Sequence, residues 1–229
     1  MTYLSDFISL LFPNLCLACS TSLLPQEKIL CTACYFKLPK TKFHAQEDND
    51  VIQMFWGRVK LEGATALLFY SKGGTVQKML HDFKYRGNRG LGIFLGQELG
   101  SELKKLQPYC LADMIIPVPL HPRKKRKRGF NQAEIFADGI SEVMKIPVIT
   151  NILKRRSYSK TQTRKSRFLR WKNVEQIFIV KDTKALENKH ILLVDDVITT
   201  GATLESCCIQ LSKAENIQIS ILSAAFTKK

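Results

Sequence analysis

ILLVDDVITTGATL, residues 191–204, is the stretch on which the fold turns. Its first four residues are apolar without alternation, as in a parallel strand buried on both faces. Two carboxylates, Asp195 and Asp196, stand at the carboxyl end, where open α/β sheets take their ligands. A Thr/Gly loop then opens a helix from Ala202. Backbone N–H groups at that helix start, with the threonine hydroxyls, grip a phosphate. Gly201 lets the backbone come close to it. Two carboxylates beside a phosphate repel it unless a hydrogen-bond donor lies between them, and ribose hydroxyls are such donors. The alternative, a generic strand–turn–helix with a capping threonine, does not account for so long a pattern.

Outward from this stretch, strands alternate with helices. ATALLFY (64–70), DMIIPVPL (113–120), IFIV (177–180), HILLVDD (190–196) and IQISILSAAF (217–226) read as strands. Helical spacing links Val76, Met79, Leu80 and Phe83, then Leu91, Phe94, Leu95, Leu99 and Leu103, then Ala133, Phe136, Ile140 and Val143. A last helix runs from Ala202 to Lys213. Residues 154–172 have no apolar stripe and read as a loop. The pattern predicts an α/β fold, a mostly parallel sheet with helices on both faces. Three segments are expected: 1–38, 39–62 as a connector bearing Glu47, Asp48 and Asp50, and 63–229 as the main domain.

The chain has 229 residues, 45% of them hydrophobic, enough for a packed core. No apolar run reaches the roughly 18 residues of a membrane span. Met1–Pro13 is apolar but contains Asp6 and lacks a basic start, so a short amphipathic helix is expected rather than a signal peptide, and a cytoplasmic setting with it. The net charge of +15 is concentrated. Arg123–Arg128 (RKKRKR) holds six basic residues and 154–172 holds nine, with no acid in either; the other 20 basic residues balance 20 acidic ones. Such foci attract polyanions. A solubilising face would mix signs.

Cys16, Cys19, Cys31 and Cys34 have the spacing C-x2-C-x11-C-x2-C. Two knuckles of this kind complete a tetrahedral S4 zinc site; the alternative, two disulfides, needs an oxidising compartment. Cys110, Cys207 and Cys208 are expected to be small buried hydrophobes.

The 191–204 stretch resembles the signature of type I phosphoribosyltransferases. DMIIPVPLHPRKKRKRGFNQAEIFA (113–137), FKYRG (83–87), TQTRKSRFLRWKN (161–173) and the cysteine knuckle after LLFP (10–13) resemble the ComF family of competence-associated, phosphoribosyltransferase-like proteins. The resemblance implies a type I phosphoribosyltransferase-like parallel sheet with a small N-terminal zinc module. It implies that Asp195 and Asp196 hold the ribose hydroxyls of phosphoribosyl pyrophosphate, and that Thr199, Thr200, Gly201, Ala202 and Thr203 hold the 5′-phosphate. Arg123, Arg128 and the turn Gly129–Gln132 would face the pyrophosphate from the loop after Pro119. Lys160, Arg164, Arg167 and Arg170 would reach it from a closing loop, with Mg2+ carried alongside.

The acceptor is not legible. His44, His81, His121 and His190 cluster with nothing recognisable. Three functions are therefore expected in competition. The first is a ligand-holding protein that handles incoming single-stranded DNA in natural transformation, with a competence-associated helicase or other DNA-processing protein as partner. There the run Arg123, Lys124, Lys125, Arg126, Lys127, Arg128 tracks phosphates, and Phe130, Tyr158 and Trp171 stack on bases. The second is a transferase of unknown acceptor, with Asp195 and Asp196 in its catalytic site. The third is a non-catalytic sensor that docks a partner through the knuckle.

Overall fold

The computed structural model describes residues 13–85, 87–156 and 177–228. At its centre is β5 (His190–Ile198). It pairs in parallel with β6 (Gln218–Thr227) on one side and with β2 (Met114–Pro117) on the other. β1 (Gly63–Tyr70) joins the far edge of β6, so the sheet order is β1-β6-β5-β2, all parallel.

The unbroken apolar run in β5 has a direct cause. Leu192 and Val194 face one hydrophobic layer, with Met79, Phe83, Leu95 and Phe136. Ile191 and Leu193 face the other, with Phe55, Leu204, Cys207 and Leu211. The first layer is built by α3 (Thr75–Tyr85), α4 (Arg89–Leu103) and α6 (Gln132–Met144); the second is built largely by α7 (Ala202–Leu211). α4 and α6 cross through a glycine seam. A Cβ on Gly96 would stand 2.3 Å from the Phe136 carbonyl oxygen, and one on Gly139 would stand 2.3 Å from that of Ile93. Both obstacles are backbone, so only glycine fits.

The structure departs from the expected pattern in three places. The connector contains a short helix, α2 (Asp50–Phe55), whose Val51 and Phe55 are fully buried. Asn49 starts it: its Oδ1 accepts from the Val51 and Ile52 amides at 3.0 and 3.1 Å, and its Nδ2 donates to the carbonyls of Phe43, Gln46 and Ala64. Six residues are too few to display a 3.6 period, and the acidic cluster masked the segment further.

The basic run is likewise a helix, α5 (Pro122–Arg128), not a loop. Straight-chain Lys and Arg are good helix formers, Pro122 suits the first turn, His121 Nδ1 accepts from the Arg123 amide, and Gly129 at φ +80° ends it. Finally, IFIV does not join the main sheet. β4 (Phe178–Val180) pairs antiparallel with β3 (Leu153–Arg155), so Lys154 and Arg155 lie on a strand rather than in a loop. Tyr158, Lys160, Arg164, Arg167, Arg170, Trp171, the Met1–Phe12 start and Arg86 of FKYRG lie outside the described residues.

Candidate functional site

The acid pair sits where the parallel strands end. Asp195 pairs in register with Ser223, and its Oδ1 accepts from the Asp196 amide at 2.8 Å. Burial first, and the neighbouring Asp196 carboxylate second, push the Asp195 carboxyl up to about 8. Asp196 has a partner: Lys84 Nζ, from the end of α3, lies 2.6 Å from its Oδ2.

A cleft of about 190 Å3 opens over the pair. Four cations line it: Lys84, Lys124, Arg128 and Arg155, with Thr203 at the loop side. Arg128 is held from two directions. Its guanidinium lies over the Tyr85 ring at 5.5 Å, and its Nη1 donates to Gln132 Oε1 at 2.9 Å. Gln132 is buried, and its Nε2 has no hydrogen-bond partner among the described residues. A buried donor left open beside a cationic cleft is matched to an acceptor oxygen from a ligand.

Of the loop Thr199–Thr203, Thr203 lines the cleft, while Thr199, Thr200, Gly201 and Ala202 lie outside its lining. Gly201 is left-handed at φ +75°, and a Cβ there would meet Met54 Sδ at 2.8 Å and the Phe55 ring at 3.1 Å. The short helix α2 thus backs the loop from behind. Thr199 and Thr200 are exposed at the turn, and Ala202 begins α7, whose first amides lack intrahelical partners.

The expected residues divide. Asp195, Asp196, Thr203 and Arg128 come together. Arg123 does not line the cleft; Lys124, one position on, does. Lys125 and Arg126 line a neighbouring cleft instead, and Lys127 lines neither. Phe130 is not available for stacking on a base. It is buried, packs on Phe83 at 5.7 Å between ring centres, and carries the Arg89 guanidinium on its face at 5.2 Å. Sequence reasoning missed Lys84 and Arg155 as cleft residues; it placed the Gly129–Gln132 turn toward the ligand, but not the open amide of Gln132. Lys84 did stand inside the FKYRG motif, but nothing local tied it to an acid far along the chain. Two of the histidines hold structure: His121 caps α5, and His190 Nε2 meets Ser220 Oγ at 2.9 Å, at the opposite end of β5.

Mg2+ prefers hard oxygen ligands and usually takes one or two carboxylates plus substrate phosphates. With Asp196 already paired to Lys84 and Asp195 disposed to keep its proton, the acid pair fits Mg2+ only together with a diphosphate. The knuckle is a better cage. The four sulfurs of Cys16, Cys19, Cys31 and Cys34 lie within 4.8 Å of one another, and Cys19 and Cys31 are 3.8 Å apart. Zinc–sulfur bonds of about 2.3 Å at tetrahedral angles give that separation. All four thiols are free of disulfides. Cys207 and Cys208 are buried in the second core layer.

The knuckle, with its short helix α1 (Thr32–Phe36), is docked on α4. Tyr35 Oη donates to Glu98 Oε2 at 2.7 Å, and Lys40 Nζ bridges Glu98 and Glu102 at 2.9 and 3.0 Å.

The Phosphoribosyl transferase domain family model matches residues 130–228. The chain is 36% identical over 121 residues to Competence protein F of Haemophilus influenzae, covering 52% of this chain and 53% of that protein. It is 29% identical over 151 residues to Competence protein ComFC of Bacillus subtilis, covering 65% and 59%. It is 33% identical over 129 residues to the DNA utilization protein YhgH of Escherichia coli O157:H7, covering 55% and 56%. The chain thus spans between half and three-fifths of the length of these relatives. Among solved structures, glutamine phosphoribosylpyrophosphate amidotransferase from B. subtilis aligns over 58% of this chain and 26% of its own, at 22% identity and a TM-score of 0.42. Adenine phosphoribosyltransferase from Leishmania tarentolae aligns over 78% and 88%, at 12% identity and a TM-score of 0.39.

Proposed function

The chain belongs to the ComF family, with a phosphoribosyltransferase-like fold, and from that footing we propose that it holds phosphoribosyl pyrophosphate over Asp195 and Asp196 while handling single-stranded DNA during uptake. The names of its relatives, competence proteins and DNA utilization proteins, support the DNA-uptake part.

One observation carries the ligand part. A cleft holding two adjacent carboxylates also carries, among the described residues, four cations, Lys84, Lys124, Arg128 and Arg155. That polarity suits a ligand with hydroxyl donors in the middle and phosphates at both ends. The carboxylates accept from the ribose 2′- and 3′-hydroxyls. The amides and hydroxyls of Thr199–Thr203 take the 5′-phosphate. Arg128, held by Gln132 and Tyr85, takes the diphosphate with Lys124 and Arg155, and the Gln132 amide gains its missing acceptor. Lys84 releases Asp196 to the hydroxyls and turns to the diphosphate. Mg2+, when it arrives with the diphosphate, supplies further neutralisation of its oxygens. Positioning and charge complementarity are all this reading requires.

Titration calorimetry with phosphoribosyl pyrophosphate, with and without Mg2+, tests it. Saturable binding that vanishes in the double variant Asp195→Asn, Asp196→Asn is expected. Heats no larger than dilution would remove the ligand from the account. A pyrophosphate-release assay over a panel of bases and amines then separates a resident ligand from a turned-over one.

The DNA part requires electrostatic binding. Affinity for a single strand should fall steeply between 50 and 200 mM salt, with a slope of about 0.7 per phosphate engaged. A flat salt response would count against it.

A further inference from the structure

Beside the ribosyl cleft, and sharing Pro119, Leu120 and Arg155 with it, lies a larger cleft of about 510 Å3 between α5 and the β3–β4 hairpin. We propose that this second cleft seats a segment of one nucleic-acid strand, its phosphates on Arg126, Lys154 and Arg155 and its bases over the apolar floor of Pro119, Leu120 and Pro122. The inference rests on the DNA-handling reading and narrows it from the whole basic run to one trough.

Charge is the first argument. Among the described residues Glu134 is the one acid in the lining, and it is already spent. Both of its carboxylate oxygens take Lys125 Nζ at 3.1 Å, and Asn131 Nδ2 donates to one of them at 3.3 Å. Arg126, Lys154 and Arg155 make no ion pair among the described residues. Three uncompensated cations facing one concavity repel each other until an anion with several charges enters. Two of them are also positioned in advance. Arg155 lies with its guanidinium over the Phe178 ring at 5.4 Å, and Lys154 Nζ donates to the Thr150 carbonyl at 3.2 Å.

Shape is the second. The volume falls in the range of small-ligand sites, roughly 300–1,000 Å3. The apolar floor offers contact to unstacked bases, which a duplex does not present.

The helix α5 contains its own control. Lys124 and Arg128, one turn apart, point to the ribosyl cleft; Lys125 and Arg126 line the second; Arg123 and Lys127 line neither. A diffuse field from the basic run would treat all six alike. A built trough would not.

The test is fluorescence anisotropy of a labelled oligo-dT strand against the full zinc-loaded chain. The double variant Arg126→Glu, Lys154→Glu should weaken binding on the order of tenfold or more and lower the salt slope by about 1.4. The charge-matched double variant Arg123→Glu, Lys127→Glu should stay within about threefold of the parent chain. Equal losses in the two variants would overturn the trough and leave only the general field. So would equal affinity for a duplex of the same length. Thermal melts of both variants check folding, and Arg126→Gln with Lys154→Gln repeats the comparison if charge reversal disturbs it. Failure of the parent chain to bind any strand at low salt would sink the DNA reading itself, a result separate from loss of cleft selectivity.

Discussion

A carboxyl group shielded from water and set beside a second carboxylate gives up its proton late. For Asp195 this separates the folded from the unfolded chain. Between about pH 4, where the unfolded carboxyl ionises, and about pH 8, the folded chain keeps a proton that the unfolded chain has lost. Stability therefore falls as pH rises through that window and levels off above it. Asparagine does not ionise, so Asp195→Asn should raise the melting temperature of the ligand-free protein by a few degrees at pH 8.5 and by almost nothing at pH 4.5. A lower melting temperature at pH 8.5 would refute the burial argument. The acid pair and its threonine loop were legible in the sequence because they are contiguous. Lys84 and Arg155 were not, because ion-pair and cleft partners separated by most of a domain leave no periodic trace. Gln132 shows a further limit: its turn was marked in the sequence, but an open amide is a property of packing.

Elements with a long apolar face were readable, and those held by capping or charge were not. α4 and α6 carry enough turns for their spacing to show. α2 has six residues, and α5 has no apolar stripe at all, since its stability comes from His121, Pro122 and Gly129 at its ends. β3 has three residues, less than one alternation can establish; β4, just as short, was readable as a strand in IFIV, but its antiparallel pairing with β3 was not. The seam between α4 and α6 gives a sharp expectation. Gly96→Ala or Gly139→Ala forces a methyl into facing backbone and should cost about 1–3 kcal/mol, the usual range for overpacking, even though alanine is the better helix former. Chemical denaturation checks this. Gly90→Ala, whose new methyl would meet the Ile29 side chain rather than backbone, should cost less.

At the scale of the whole molecule, the cysteine module and the cleft over the acid pair sit apart. The module docks on α4 through Tyr35 and Lys40, while the cleft lies at the ends of β2 and β5. Cys16→Ser should therefore lower the bound zinc from one equivalent and destabilise the N-terminal part. The thermal shift given by phosphoribosyl pyrophosphate should survive it, as read by metal analysis and by melts with and without ligand. The paired placement of β1 against β6 has a consequence for how the protein is made. Among the described residues, Gly63 pairs with Ser220, and β6 is the sole strand linking β1 to the rest of the sheet. Contacts so distant in sequence slow folding. On the ribosome the cysteine knuckle and α4 emerge well before β6, so the apolar edge of β1 waits until residues 218–227 have been made. A nascent chain halted before Gln218 would carry the complete cysteine knuckle and an unclosed sheet, with β1 unpaired until β6 entered between it and β5.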